Sequence, residues 1–336
     1  MKDLRKLLWP FAVPYELITR VRNTLFDNQV FESESYDFPV IGVGNLSIGG
    51  TGKTPMIEYL IELLGSFQKL AVLSRGYGRK TTGYLDVAPH LSAADTGDEP
   101  LQFAKKYQDV QVAVCEKRRL GIQRLREKTP APEVILLDDV YQHRHVQPGL
   151  LLMLTAYGDL FYEDFVLPAG NLRESRSGAR RADLVVVTKC PFDLAKEQRA
   201  LIKSRIAQFT KAPVFFSGIT YDLPVGVNGP VSWTKLQTES LNIVTGIAKP
   251  QPFLDHLDLM GLTYKHLEFA DHHTFNTEEI KALDRKKVIL TTEKDFMRLK
   301  GKLKKTKLYY LPMRVKFLAE EERFNASIEA FVAKSL

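Results

Sequence analysis

The sequence predicts an α/β protein: a doubly wound, mostly parallel sheet, a second and smaller α/β unit, and an N-terminal amphipathic helix. Three observations carry this. Short apolar runs alternate with helical stretches from Phe38 to about Thr220, the pattern of buried parallel strands joined by crossover helices. A glycine-rich turn, GNLSIGGTGKTP at 44–55, lies between the first such run and the first helix after it. Basic and apolar residues interleave over the first 27 positions.

In that first segment, residues 1–27, Lys2, Arg5, Lys6, Arg20 and Arg22 alternate with Leu4, Leu7, Leu8, Trp9, Phe11 and a later apolar set. Pro14 can open a helix. From Tyr15 onward Leu17, Ile18, Val21 and Leu25 share one face, with both arginines off it. A basic amphipathic helix beside Trp and Phe fits an interfacial membrane anchor. A helix packed on the core, with its basic residues solvated, fits equally.

The glycine-rich turn follows the apolar run Phe38–Val43 and precedes a helical pattern at Met56, Ile57, Leu60, Ile61 and Leu64. Strand, glycine turn, Gly-Lys-Thr and helix are the grammar of a P-loop NTPase-like phosphate loop. Gly49, Gly50, Thr51 and Gly52 bring backbone N–H groups toward an anion, at a helix N-terminus whose field favours negative charge. Lys53 then sits on the β- and γ-phosphates, and Thr54 offers its hydroxyl to Mg²⁺. Ser47 stands where the strict pattern has a glycine, which leaves the compact GGxGKT form.

Further apolar runs at 70–73, 110–114, 134–137, 150–154 and 184–187 read as strands, with helical stretches near Glu58, Phe103, Ile122 and Glu197 between several of them. This bounds a P-loop core at 28–220. DLPVGVNGPVSWTK marks a linker or hairpin at 221–235. Strands near 242–245, 288–291 and 308–311 assign a smaller α/β unit to 236–336.

Several blocks carry chemistry. VILLDD ends an apolar strand in Asp138 and Asp139, which together with Gly-Lys-Thr fit a metal site. His143 and Arg144 follow, suited to neutralising phosphate. SRGYGRK puts Arg75 on a glycine-hinged loop suited to an anionic substrate, or to a solvated turn. In TGDEP, Asp98 fits a helix cap as well as a functional carboxylate. FADHHTF supplies it with a partner: a histidine polarised by a carboxylate is an acid–base pair for a hydroxyl. The arginine-dense stretch 167–189 holds Arg173 and Glu174, the first for phosphoryl charge and the second for the metal shell.

The chain has 336 residues, 44% hydrophobic and 26% charged, with two cysteines and a net charge of +7. That composition describes a globular protein in a reducing compartment with anionic partners. No nucleic-acid-binding motif is present, which disfavours that class. No apolar run spans a bilayer and the N-terminus lacks a secretory pattern, so the expectation is synthesis and retention in the cytoplasm.

Together the blocks GNLSIGGTGKTP, LSRGYGR, GDEP, LLDDVYQHR, LPAGNLRE, GIAKPQPF, FADHHTF and TTEKD, in order from residue 44 to 295, resemble the tetraacyldisaccharide 4′-kinases of lipid A biosynthesis. The resemblance implies transfer of the ATP γ-phosphate to the 4′-hydroxyl of a tetraacylated disaccharide 1-phosphate. It implies a peripheral enzyme on the cytoplasmic face of the inner membrane, using ATP and Mg²⁺, with no obligate protein partner. It assigns nucleotide binding to residues 49–54 and the metal to Thr54, Asp138, Asp139 and Glu174. Asp98 and His272 become the carboxylate–histidine base pair, with His273 as the other choice. Arg75, His143 and Arg173 become substrate or phosphate contacts. Val140 and Tyr141 depart from the Gly-Leu that usually follows the two aspartates. The rival reading is a GGxGKT-type ATPase or GTPase switch. Ile48, where such proteins carry a signature lysine, speaks against it.

Overall fold

The computed structural model describes Arg5, residues 8–65, 69–271 and 273–335. Within them the strands form two sheets. The first has nine strands in the order β15-β8-β7-β6-β1-β5-β2-β4-β3. These are β1 (Val40–Asn45), β2 (Leu70–Ser74), β3 (Leu85–Asp86), β4 (Gln111–Val114), β5 (Val134–Asp138), β6 (Leu150–Ala156), β7 (Leu184–Thr188), β8 (Val214–Tyr221) and β15 (Met313–Phe317). The seven inner strands are parallel, and β3 and β15 run antiparallel at the edges. Strands β1, β2, β5 and β7 are buried along their whole length, which is why they read as continuous apolar runs.

Each face of this sheet carries its own core. One includes Leu73, Leu137, Tyr141, Met153 and Phe161; the other includes Met56, Leu60, Val72, Phe103 and Phe215. β1 lies between β5 and β6. Chain connections leave in opposite directions from this point, and the crevice beyond the strands' C-terminal ends receives the ligand in such sheets. The glycine-rich turn opens there.

The second sheet has the order β10-β9-β14-β13-β11-β12. It comprises β9 (Val225–Gly226), β10 (Gly229–Pro230), β11 (Leu241–Thr245), β12 (Tyr264–Glu268), β13 (Val288–Thr292) and β14 (Lys307–Leu311). The segment read as a linker or hairpin is thus the β9–β10 hairpin, joined antiparallel to β14. The C-terminus differs from the expected division at 236–336. β15 pairs with β8, and Phe324, Ile328 and Val332 of the helix Glu321–Ser335 enter the core beside Met56 and Phe215. The chain crosses to the small unit and returns.

The N-terminal helix runs from Trp9 to Asp27, with Pro10 in its first turn and Pro14 inside it, so Pro14 does not open it. Its inward side buries Ala12 and Phe26 and carries polar anchors: Tyr15 Oη donates to Arg173 O at 2.9 Å, Arg22 to Gln142 O at 2.8 Å, and Asn23 to Glu174 Oε2 at 2.7 Å. Phe11, Leu17, Ile18 and Val21 are more than half exposed. Among the described residues no helix is long and apolar enough to cross a membrane.

Candidate active site

The phosphate loop is built by backbone conformation. Gly52 takes φ 86°, left-handed, and starts the helix Lys53–Leu64 with no side chain capping it, so first-turn N–H groups are left for an anion. Lys53 Nζ lies 3.5 Å from Asp139 Oδ1 and 3.3 Å from Asn45 Oδ1. β5 carries the acidic pair to the same place because Val43 and Asp138 are register partners.

The two aspartates differ. Asp138 is 2% exposed. Its Oδ2 accepts from Ser74 Oγ at 2.9 Å, and Oδ1 has no hydrogen-bond partner among the described residues. Burial, then the charges of Glu99 and Asp139, push its pKa up to about 7. Asp139 accepts two hydrogen bonds from Arg173, at 2.8 and 3.1 Å. Although burial acts the other way, Arg173 and then Lys53 hold it well below the usual carboxylate range. A buried carboxylate with an open oxygen beside an ionised one suits a small, hard cation, which needs only one or two protein carboxylates when phosphate supplies further oxygens.

Asp98 opens the helix Asp98–Lys106 directly after Gly97. Gly97 is at φ 88°, and a Cβ there would come within 2.9 Å of Tyr77 O. Asp98 Oδ2 accepts from Nε and Nη2 of Arg298, on the small unit's helix Glu293–Leu299. Arg298 is aimed by Asp295 Oδ1 at 2.9 Å and Gly246 O at 3.2 Å. Lys294 pairs with Glu99 at 2.6 Å. Lys106, on the same helix, pairs with Glu58 at 2.7 Å and Glu293 at 3.5 Å. One ammonium thus serves two buried carboxylates. Burial and then Glu58 push Glu293 up to about 7.

The family model described as Tetraacyldisaccharide-1-P 4′-kinase matches residues 4–333. The chain is 46% identical to the tetraacyldisaccharide 4′-kinase of Flavobacterium johnsoniae, over 100% of this chain and 99% of that one. It is 39% identical to that of Bacteroides thetaiotaomicron, over 99% and 94%. A crystal structure of the "apo" form of LpxK from Aquifex aeolicus in complex with ATP is 32% identical, with a TM-score of 0.80 over 98% of this chain and 99% of that one. The chain belongs to the tetraacyldisaccharide 4′-kinase family. The likeness to the Aquifex protein covers both sheets, so the P-loop core and the smaller unit are family architecture.

Lys53, Thr54, Asp138, Asp139 and Arg173 converge at the phosphate loop. Arg75 is exposed and makes no hydrogen bond or ion pair with a described residue, and its charge acts on His143 and Arg118. His143 differs from a phosphate-neutralising cation: burial, then Arg118 and Arg75, push its pKa down to about 4, so it is neutral at pH 7. Glu174, expected in the metal shell, is held by its neighbours. Arg181 grips both its oxygens, and Gln142 and Asn23 donate at 2.9 and 2.7 Å. No acceptor direction remains open toward the loop, and Glu174 instead fastens the N-terminal helix to the site.

His272 lies outside the described residues. His273 turns to its own loop, with Nε2 2.9 Å from Glu279 Oε2 and its ring stacked on Phe269 at 5.0 Å. Asp271 lies near enough to Arg298 to favour its charge, which puts Asp271 on the Asp98 side of the site.

Val140 and Tyr141, where the family pattern has Gly-Leu, are accommodated by β1. A Cβ on Gly44 would stand 2.7 Å from Tyr141 Cβ. The buried Tyr141 hydroxyl donates to Gly178 O at 2.9 Å, and Arg181 lies 4.7 Å from its ring centroid. Ser74, Arg118, Lys294 and Arg298 were not legible as site residues. The one available signal was Asp295 and Arg298 at i, i+3 on a short helix that begins within the TTEKD block.

Proposed function

We propose that this chain transfers the γ-phosphate of ATP to the 4′-hydroxyl of tetraacyldisaccharide 1-phosphate, a step of lipid A biosynthesis, with Mg²⁺ as cofactor. The observation that carries the reading is a convergence in a member of this family: the phosphate loop and the acidic pair meet at the C-terminal ends of β1 and β5, and Glu99, next to Asp98, acts by its charge on Asp138. Residues 49–54 bind the triphosphate, with Lys53 drawing charge from the phosphate oxygens. Thr54, Asp138 and Asp139 hold the metal; the open Asp138 oxygen is the feature that fits it. When bound, Mg²⁺ neutralises charge on the transferring group. Arg173 fixes Asp139 and adds positive charge beside it. Asp98, paired with His272, takes the proton of the acceptor hydroxyl, and Arg75 faces the anionic lipid.

The test is transfer of label from γ-labelled ATP to the purified disaccharide 1-phosphate. The expected product carries the label at the 4′ position. ATP hydrolysis without any labelled lipid would favour the GGxGKT switch instead.

A peripheral position on the cytoplasmic face of the inner membrane belongs to the same proposal. The support is the N-terminal helix, which spends its polar side on the protein and leaves Phe11, Leu17 and Ile18 each more than 60% exposed. An apolar face next to basic residues lies in the interface of an anionic bilayer. Replacing these three residues by serine is expected to lower partitioning onto phosphatidylglycerol-containing vesicles about tenfold or more. Unchanged co-sedimentation would overturn the membrane assignment.

A further inference from the structure

Lys189 plays no part in the site described so far, yet the fold sets it against the phosphate loop. It follows β7 directly and takes φ 57°, a left-handed conformation that a side-chain-bearing residue rarely holds. The turn brings its ammonium to the loop: a Cβ built on Gly50 would stand 3.6 Å from Lys189 Nζ. The preceding residue fastens the same two segments, since Thr188 Oγ1 donates to Thr51 O at 2.7 Å. The Lys189 ammonium itself makes no hydrogen bond or ion pair with a described residue. Burial, and then the charge of Lys249, disfavour its protonated form; Asp159 acts the other way. A cation held at a loop built for anions, without a bonded carboxylate, is placed for a ligand.

The strand order says which part of the ligand. β5, with Asp138 and Asp139, flanks β1 on one side, and β6 and β7 lie on the other. Lys53 turns toward the acidic pair, and Lys189 reaches the loop three residues earlier, from the opposite flank. A triphosphate with its terminal phosphate at Lys53 runs back toward Lys189. We propose that Lys189 is a nucleotide-binding residue that donates to an oxygen of the α-phosphate or ribose. This rests on the ATP reading above.

Equilibrium binding of ADP and ATP, without lipid acceptor, tests it. Lys189→Met is expected to weaken both nucleotides by a similar factor, about tenfold. Lys53→Ala is expected to weaken ATP more than ADP. Lys189→Gly suits the left-handed backbone and serves as a second variant in case the methionine protein fails to fold; Lys189→Arg is expected to keep most of the affinity. Wild-type-like binding of both nucleotides by Lys189→Met or Lys189→Gly would overturn the assignment, as would a loss confined to ATP. Failure of the wild-type protein to bind either nucleotide would overturn the ATP reading itself.

Discussion

Replacing Lys53 by alanine is expected to slow phosphoryl transfer by on the order of 10³-fold, with the protein still folded. The rate loss follows from what the ammonium faces. It is the first residue of an uncapped helix and lies between Asp139 and Asn45 at 3.5 and 3.3 Å, where phosphate charge shifts during transfer. The fold survives because Lys53 does not hold it. Asp139 keeps both hydrogen bonds from Arg173 and is about one-third exposed, so no buried charge is orphaned. The Lys53–Asp139 pair is partly exposed and 3.5 Å apart, and its loss costs on the order of 1 kcal/mol. One electrostatic consequence remains. Lys53 counteracts the rise in the Asp138 pKa, so its loss drives that carboxyl further toward protonation and weakens the metal site as well. A single-turnover assay at saturating lipid, with a thermal melt of the same sample, checks both halves. Near-normal turnover would sink the loop assignment.

The phosphate loop was legible because its information is local. Glycines at 49, 50 and 52 and the adjoining Lys-Thr dictate a backbone path whatever lies far away. Most buried strands were legible for the same reason, with observed bounds within a residue or two of the expected runs, although β8 was not among them. Partners distant in sequence were not. Asp98 and Arg298 lie 200 positions apart, and each in isolation reads as a helix cap or a surface charge. Strand β15 returns to the first sheet through pairing with β8, which no local pattern in Met313–Phe317 announces. His143 and Glu174 show the limit for residue types. Their sequence context specified polarity and neighbourhood, but the charge state of one and the occupied acceptors of the other depend on what tertiary packing places around them. Glu174 accepts from Asn23, 151 positions away, a contact that exists only because the N-terminal helix docks there.

Asp98→Asn is expected to lower kcat by about 10²- to 10⁴-fold while leaving ATP affinity near that of the wild type. The structure offers Asp98 two roles with different signatures. As a clamp, it ties the small unit to the helix Asp98–Lys106 through Arg298. As a base, working with His272, it takes a proton from the acceptor. Asparagine separates them. Its side-chain oxygen still accepts from Arg298, and that guanidinium keeps Asp295 and Gly246 O. The units also remain joined through Lys294–Glu99 and Lys106–Glu58 with Glu293, so the thermal midpoint should fall by only a few degrees. A neutral amide, however, neither accepts the hydroxyl proton nor polarises a histidine. The loss therefore belongs in kcat and not in nucleotide affinity. The clamp reading predicts the reverse: because asparagine keeps the contact to Arg298, rate, nucleotide affinity and thermal midpoint all stay near those of the wild type. Titrating ATP binding beside steady-state rates and a thermal melt distinguishes the two. Arg298 donates from both Nε and Nη2 to Oδ2 of Asp98 and so fixes the orientation of the carboxylate in either role.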